Sequence, residues 1–233
     1  MTTLSDTGTT TSRPTGFWAG IPRGARLDER SFLSRHRIIS AVLAVHPPVL
    51  AAVGIARGVG GLLLWGQLAA IVILLVVGQV LRSQVARASV VSLGLMVGAD
   101  VLVHVSGGLT DMHIWFYALL ALVALYQMWT PFILAVGFVA VHHAAMSLWM
   151  PESVFSTHQA QHHPILFAHL HAVFLLAEAT FLAYGWKFTE EADRGRRAEQ
   201  LRAEEQAVAQ VAAQAGHDPV SYTHLTLPTI LLV

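Results

Sequence analysis

The 233-residue sequence contains no cysteine. That absence excludes disulfides, thiolate metal sites and cysteine nucleophiles. Charge is scarce too: Asp, Glu, Lys and Arg make up 12% of the residues, about half the share in a soluble domain. Fourteen bases balance fourteen acids, so no net basic field is available to draw nucleic acid, and none is expected as a partner. The first twenty residues are rich in Thr and Ser and lack the apolar core of a cleavable signal peptide. The first apolar run begins only after Arg35 and Arg37 and is expected to act as an uncleaved anchor.

In place of charge the chain carries apolar runs. Hydrophobic residues make up 55% of it, and the mean hydropathy is +0.57. Between Ser31 and Phe188 the only acids are Asp100, Asp111, Glu152 and Glu178. A segment that long with so few charges cannot keep a water-facing surface, so the lipid bilayer is its expected surroundings. About six runs are long enough for a hydrocarbon core of about 30 Å. They are Ile38–Ile55, Leu62–Leu81, Ser89–Val105, Ile114–Trp129, Phe132–Met150 and Ile165–Trp186, the fourth being short. Pro47 and Pro48 interrupt the first and are expected to kink it. The expected fold class is all-α: an integral membrane helical bundle of about six spans with a cytoplasmic C-terminal signalling helix.

Basic residues orient the set. Arg23, Arg26, Arg30, Arg35 and Arg37 precede the first run, and Arg82 and Arg87 lie between the second and third. Lys187, Arg194, Arg196, Arg197 and Arg202 follow the sixth, whereas the alternate loops hold only Arg57. Both termini are therefore expected in the cytoplasm, with the chain in the bacterial inner membrane. Residues 1–30 read as a disordered leader, 31–188 as the transmembrane domain and 189–216 as a linker helix rich in Ala, Glu, Arg and Gln. Leu201, Val208, Val211 and Ala215 follow a weak coiled-coil spacing, which leans toward a homodimer. Residues 217–233 change character. The run VSYTHLTLPT (220–229) resembles a translated sequencing-library adapter and is read as non-native, so the natural gene is expected to continue into an output domain.

Histidine is the compositional anomaly: there are thirteen, nine of them between His104 and His171. The expected topology sets most of them toward the outer side, contributed by several segments. Ionisable groups in spans cost several kcal/mol unless partnered, so they mark a site by default. Neutral imidazole suits copper, zinc or iron, alone or in haem, with carboxylates as further ligands or as acceptors for the second ring nitrogen. Asp111, His113, His142, His143, His158 and His171 are the candidate ligands, with Asp100, His104 and Glu178 as supporting partners. In the adjacent pair His142–His143 the side chains diverge by roughly 100°, so one of them is expected to face inward. His46, alone in the first run, is read as bonded to a helix carbonyl. Histidine protonation without any metal is an alternative stimulus.

The motifs SGGLTDMHIWFY (106–117), LYQMWTPF (125–132), VHH (141–143), VFSTH (154–158) and HLHAVF (169–174) together resemble a bacterial membrane sensor module. That module precedes methyl-accepting chemotaxis, histidine kinase or diguanylate cyclase regions. The resemblance covers about Arg30 to Glu191 and implies a sensory input function, without enzymatic activity in this portion. Asp111, His113, His142, His143 and His171 match its pattern. Met128 stands where an acid is common, and His162, His163 and His169 are additions. The spacing of His158, His162 and His163 also imitates one histidine box of membrane di-iron desaturases or hydroxylases, a competing reading, as is a small transporter. A desaturase needs several boxes on the cytoplasmic side, and a transporter wants internal repeats. Neither feature is evident.

Overall fold

The computed structural model describes residues 21–24 and 27–217, whose regular structure is all helix, with no strand among them. The expectations for most of the polar leader and for residues 218–233 therefore fall outside the described residues. The chain divides into two compact units at Glu190/Glu191.

The first unit is a helical bundle. α1 (Glu29–Ala56), α2 (Leu62–Val80), α3 (Gln84–Val105) and α5 (Trp129–Trp149) are each long and apolar enough to cross a membrane, as is the N-terminal part of α8 (Pro164–His217). α4 (Ile114–Ala124), entered through a 3₁₀ turn at Thr110–His113, is shorter. Two short helices, α6 (Pro151–Val154) and α7 (His158–His162), occupy the link into α8, where the sequence predicts only a loop.

α3 is the central element, with α1, α2 and α5 packed against it. Of its most apolar stretch 61% is buried, against 11% for α8. Small residues explain the close packing. A Cβ on Gly94 would meet Leu43 Cδ2 at 2.8 Å, one on Gly98 would meet His46 Cδ2 at 2.6 Å, and one on Gly78 would meet Val91 Cγ2 at 2.4 Å. Ile39, Leu43, Ile71, Val91, Leu95 and Leu120 lie in the resulting core.

Helix ends follow the local sequence. Asp28 caps α1, accepting from Ser31 N–H at 2.7 Å, and α1 starts at Glu29, inside the stretch expected to be disordered. α1 runs on through Pro47 and Pro48 as one assigned helix. α3 ends in a Schellman turn: Gly107 N–H bonds His104 O at 3.0 Å and Gly108 N–H bonds Val103 O at 2.9 Å, with both glycines at positive φ. Arg57 Nη2 donates to Ser106 O at 2.9 Å and ties the C-terminal ends of α1 and α3 together.

The opposite end holds Arg35 and Arg87. His36 bridges Tyr126 Oη at 2.7 Å and Gly78 O at 3.2 Å, and Phe32 stacks on it at 5.1 Å. Arg87 lies over Phe32 and donates to Gly78 O at 3.3 Å. Arg35 donates to Leu125 O at 2.6 Å and to Gln127 Oε1 at 3.0 Å, clamping a turn in which Gln127 has a φ of 54°. Trp186 on α8 donates to Ala124 O at 2.9 Å and packs edge-on to Trp129 at 5.1 Å.

In the second unit α8 continues as a polar helix. Leu201, Val208 and Val211 are exposed on it, and Asp193 pairs with Arg196.

Candidate functional site: a histidine cluster at one end of the bundle

Three of the candidate residues meet. His113 closes the 3₁₀ turn before α4, His143 lies in the second half of α5, and His171 lies two turns into α8. Their ring centroids are separated by 5.2 Å (His113–His143), 5.3 Å (His113–His171) and 6.0 Å (His143–His171). His113 and His143 are buried and His171 is half-buried. Phe116 packs edge-on to His143 at 5.2 Å, and Phe155 lies 6.1 Å from His171.

Each ring is anchored to its own helical turn. His113 Nδ1–H donates to Leu109 O at 3.3 Å, His143 Nδ1–H to Val139 O at 3.0 Å, and His171 Nδ1–H to Phe167 O at 2.8 Å. Each pair is four residues apart, so the helix itself supplies the acceptor. With Nδ1 as donor, each neutral ring keeps its lone pair on Nε2. His113 Nε2 is buried with no hydrogen-bond partner. Backbone anchoring of one ring nitrogen with the other left free is the usual preparation of a ligating histidine.

A cavity of about 140 Å³ opens beside the cluster, lined by His113, Tyr117, His143, His169, His171 and Leu175 among others. A second, of about 210 Å³, shares His113, Phe116 and His143 and is also lined by Asp100, His104, Gln67, His142, Met146 and Met150. Gln67 Oε1 is buried there without a partner.

The other candidates are distributed around this core. His142 turns away from His143 and pairs with Asp100, Nε2 to Oδ1 at 2.5 Å, its ring stacked on Phe138 at 5.7 Å. His104 is half-buried on the wall of the larger cavity, so Asp100 serves His142 and not His104. Asp111 is exposed. His158 lies on α7 against His162, outside the cluster. Glu178 is half-buried farther along α8, with Oε2 buried and unpartnered. His46 donates from Nδ1 to Val42 O at 2.8 Å, as read from the sequence, and accepts from Trp115 Nε1–H at 3.0 Å.

The donor chemistry fits a transition-metal ion, and so does the spacing. A tetrahedral ion about 2.0–2.1 Å from each Nε2 would hold the ring centroids about 5 Å apart. The aim of the rings does not yet close: among the described residues no group of three or more His, Asp or Glu side chains stands in a geometry that would hold a metal ion. The planes of the three rings are inclined by 70°, 53° and 31° to one another, and holding an ion requires the three Nε2 atoms to converge further.

The buried His36–Tyr126–Gly78 junction is absent from the sequence reading. Its only signal is a histidine between two arginines, Arg35 and Arg37, which reads as part of a basic flank.

No protein-family model and no solved structure matches the chain. It is similar to "Transducer protein Htr8" of Halobacterium salinarum, 27% identical over an aligned span of 197 residues that covers 79% of this chain and 30% of that protein. The chain thus spans less than a third of its relative's length. The likeness supports a transducer-like relationship.

Proposed function

We propose that this chain is the membrane-embedded sensory input module of a signal-transduction protein, binding a transition-metal ion or metal cofactor through His113, His143 and His171. The observation that carries the reading is the meeting of three backbone-anchored imidazoles from the 3₁₀ turn, α5 and α8, with a buried, unpartnered Nε2 among them. Copper, zinc or iron, alone or in haem, would supply a positive or redox-variable centre in an apolar interior. The residues do the rest. His113 and His143 fix their side of the site on turns packed into the bundle, while His171 belongs to the least-buried long apolar helix. Drawing the three Nε2 atoms onto one centre rotates or shifts α8 relative to α5. The 54-residue α8 carries that displacement toward a cytoplasmic output domain of chemotaxis, kinase or cyclase type. The ligand biases the equilibrium only by its differential affinity for the two arrangements, typically about 1–3 kcal/mol.

The test is metal analysis of the chain purified in detergent without chelators. Wild type retains a stoichiometric transition metal, and a His113→Ala/His171→Ala double variant loses it. A metal-free wild type, or equal metal content in the double variant, refutes the site.

A further inference from the structure

We infer that α7 carries a second, independent metal site: His158 and His162 form an exposed two-imidazole chelate for a divalent transition-metal ion that favours tetragonal geometry, Cu²⁺ or Ni²⁺. Their Nε2 atoms are 2.9 Å apart, with ring centroids at 4.1 Å and planes inclined by 50°. The two residues are four apart on one helical turn, so their side chains share a face.

The separation is the informative quantity. Two ligands about 2.0–2.1 Å from one ion lie about 2.9 Å apart when they subtend a right angle and about 3.4 Å apart at the tetrahedral angle. The observed edge matches the right angle, which square-planar and tetragonal Cu²⁺ or Ni²⁺ prefer. Without metal the same distance is one N–H···N hydrogen bond, with one ring donating and the other accepting. Both rings can face an ion once the donor ring carries its proton on Nδ1 in place of Nε2, a change of tautomer with little movement of either ring.

The seat is rigid for so short a helix. Thr157 Oγ1 caps α7 by accepting from Ala160 N–H at 3.4 Å. Buried Ala160 packs with Val154 and Phe155, and Gln161 Nε2 donates to Phe155 O at 2.7 Å. Both histidines are exposed, so water fills the remaining coordination positions and the ion exchanges readily. His169, on α8, follows this turn in the chain. It is exposed, donates from Nδ1 to Ile165 O at 2.7 Å, and lines the 140 Å³ cavity with His171.

Titrating Cu²⁺ into the untagged, chelator-stripped full chain in detergent, followed by electron paramagnetic resonance, tests the inference. Wild type gives an axial signal with two equatorial nitrogens. His158→Gln and His162→Gln each lose the two-nitrogen pattern and bind Cu²⁺ about a hundredfold more weakly, because the second bond is no longer intramolecular. His163→Gln and the His113→Ala/His171→Ala variant keep it, which separates this site from the inner cluster. Retention of the pattern in both glutamine variants, or its loss in the inner double variant, overturns the assignment.

Discussion

A histidine inside an apolar bundle has two ring nitrogens to satisfy, and here the helix satisfies the first. His46, His113, His143, His169 and His171 all donate from Nδ1 to the carbonyl four residues earlier. What separates them is the second nitrogen. His46 Nε2 is taken by Trp115, whereas His113 Nε2 is buried and free. The sequence identifies which residues carry imidazoles but not which second nitrogens are spoken for. The adjacent His142 and His143 illustrate the gap. Their divergence is legible, but which one faces inward depends on how α5 is rotated by its packing on α3 and α4. Polar caps are more local and more predictable. The Asp28 carboxyl is held below the usual aspartate pKa, chiefly by the Ser31 backbone N–H and then by the Ser31 hydroxyl. A carboxylate favoured in the fold contributes stability above its unfolded pKa of about 3.9, and loses it as pH falls through the lowered value. Amide exchange at Ser31 is accordingly expected to accelerate, relative to its intrinsic rate, below about pH 4 in wild type. Asp28→Asn keeps an uncharged acceptor and should show a flat profile. A wild-type profile equally flat would mean that the carboxylate does not hold the first turn.

The long elements were readable because an apolar run bounded by Arg, Gly or Pro leaves few places to start and stop. The expected runs at Leu62–Leu81 and Ser89–Val105 correspond to α2 (Leu62–Val80) and α3 (Gln84–Val105) within a few residues. Three features were not readable. α6 and α7 arise from one Pro and one Thr cap in a histidine-rich link whose composition suggests only polarity. α1 remains helical at Pro47 and Pro48, where the carbonyls of Leu43 and Ala44 forgo their helical partners. The role of glycine in α3 emerges only when α1 is in place: Gly94 and Gly98 stand four apart and face Leu43 and His46. Gly98→Ala places a methyl 2.6 Å from the His46 ring, which is fixed at both nitrogens by Val42 and Trp115 and has little freedom to retreat. Overpacking of this kind costs about 1–3 kcal/mol, so the thermal midpoint in detergent should fall clearly. Gly137→Ala meets nothing within 4 Å and serves as the control that should hold or gain stability. Equal midpoints for the two variants would show that α1 and α3 do not depend on this approach.

At the scale of the whole molecule the open quantity is sidedness, and α4 decides it. The apolar stretch Thr110–Ala124 is 15 residues long, about 22 Å as a helix against a hydrocarbon core of about 30 Å. If it crosses, six spans return both ends of the chain to the cytoplasm, in keeping with the arginines before α1 and after Trp186. The contacts support crossing: Gly108, just past α3, lies against Val154 and Phe155, just past α5, whereas Leu125 and Gln127, just past α4, bond Arg35 near the start of α1 at the other end. The absence of cysteine makes the test direct, because single cysteines report against no background. Ile21→Cys, Ser156→Cys and Gln200→Cys, each at an exposed position, can be probed in spheroplasts with a membrane-impermeant maleimide. The six-span arrangement predicts labelling of Ser156→Cys in intact spheroplasts, and of Ile21→Cys and Gln200→Cys only after permeabilisation. Labelling of Gln200→Cys in intact spheroplasts, with Ser156→Cys protected, would invert the site and remove α8 as a route to a cytoplasmic output domain.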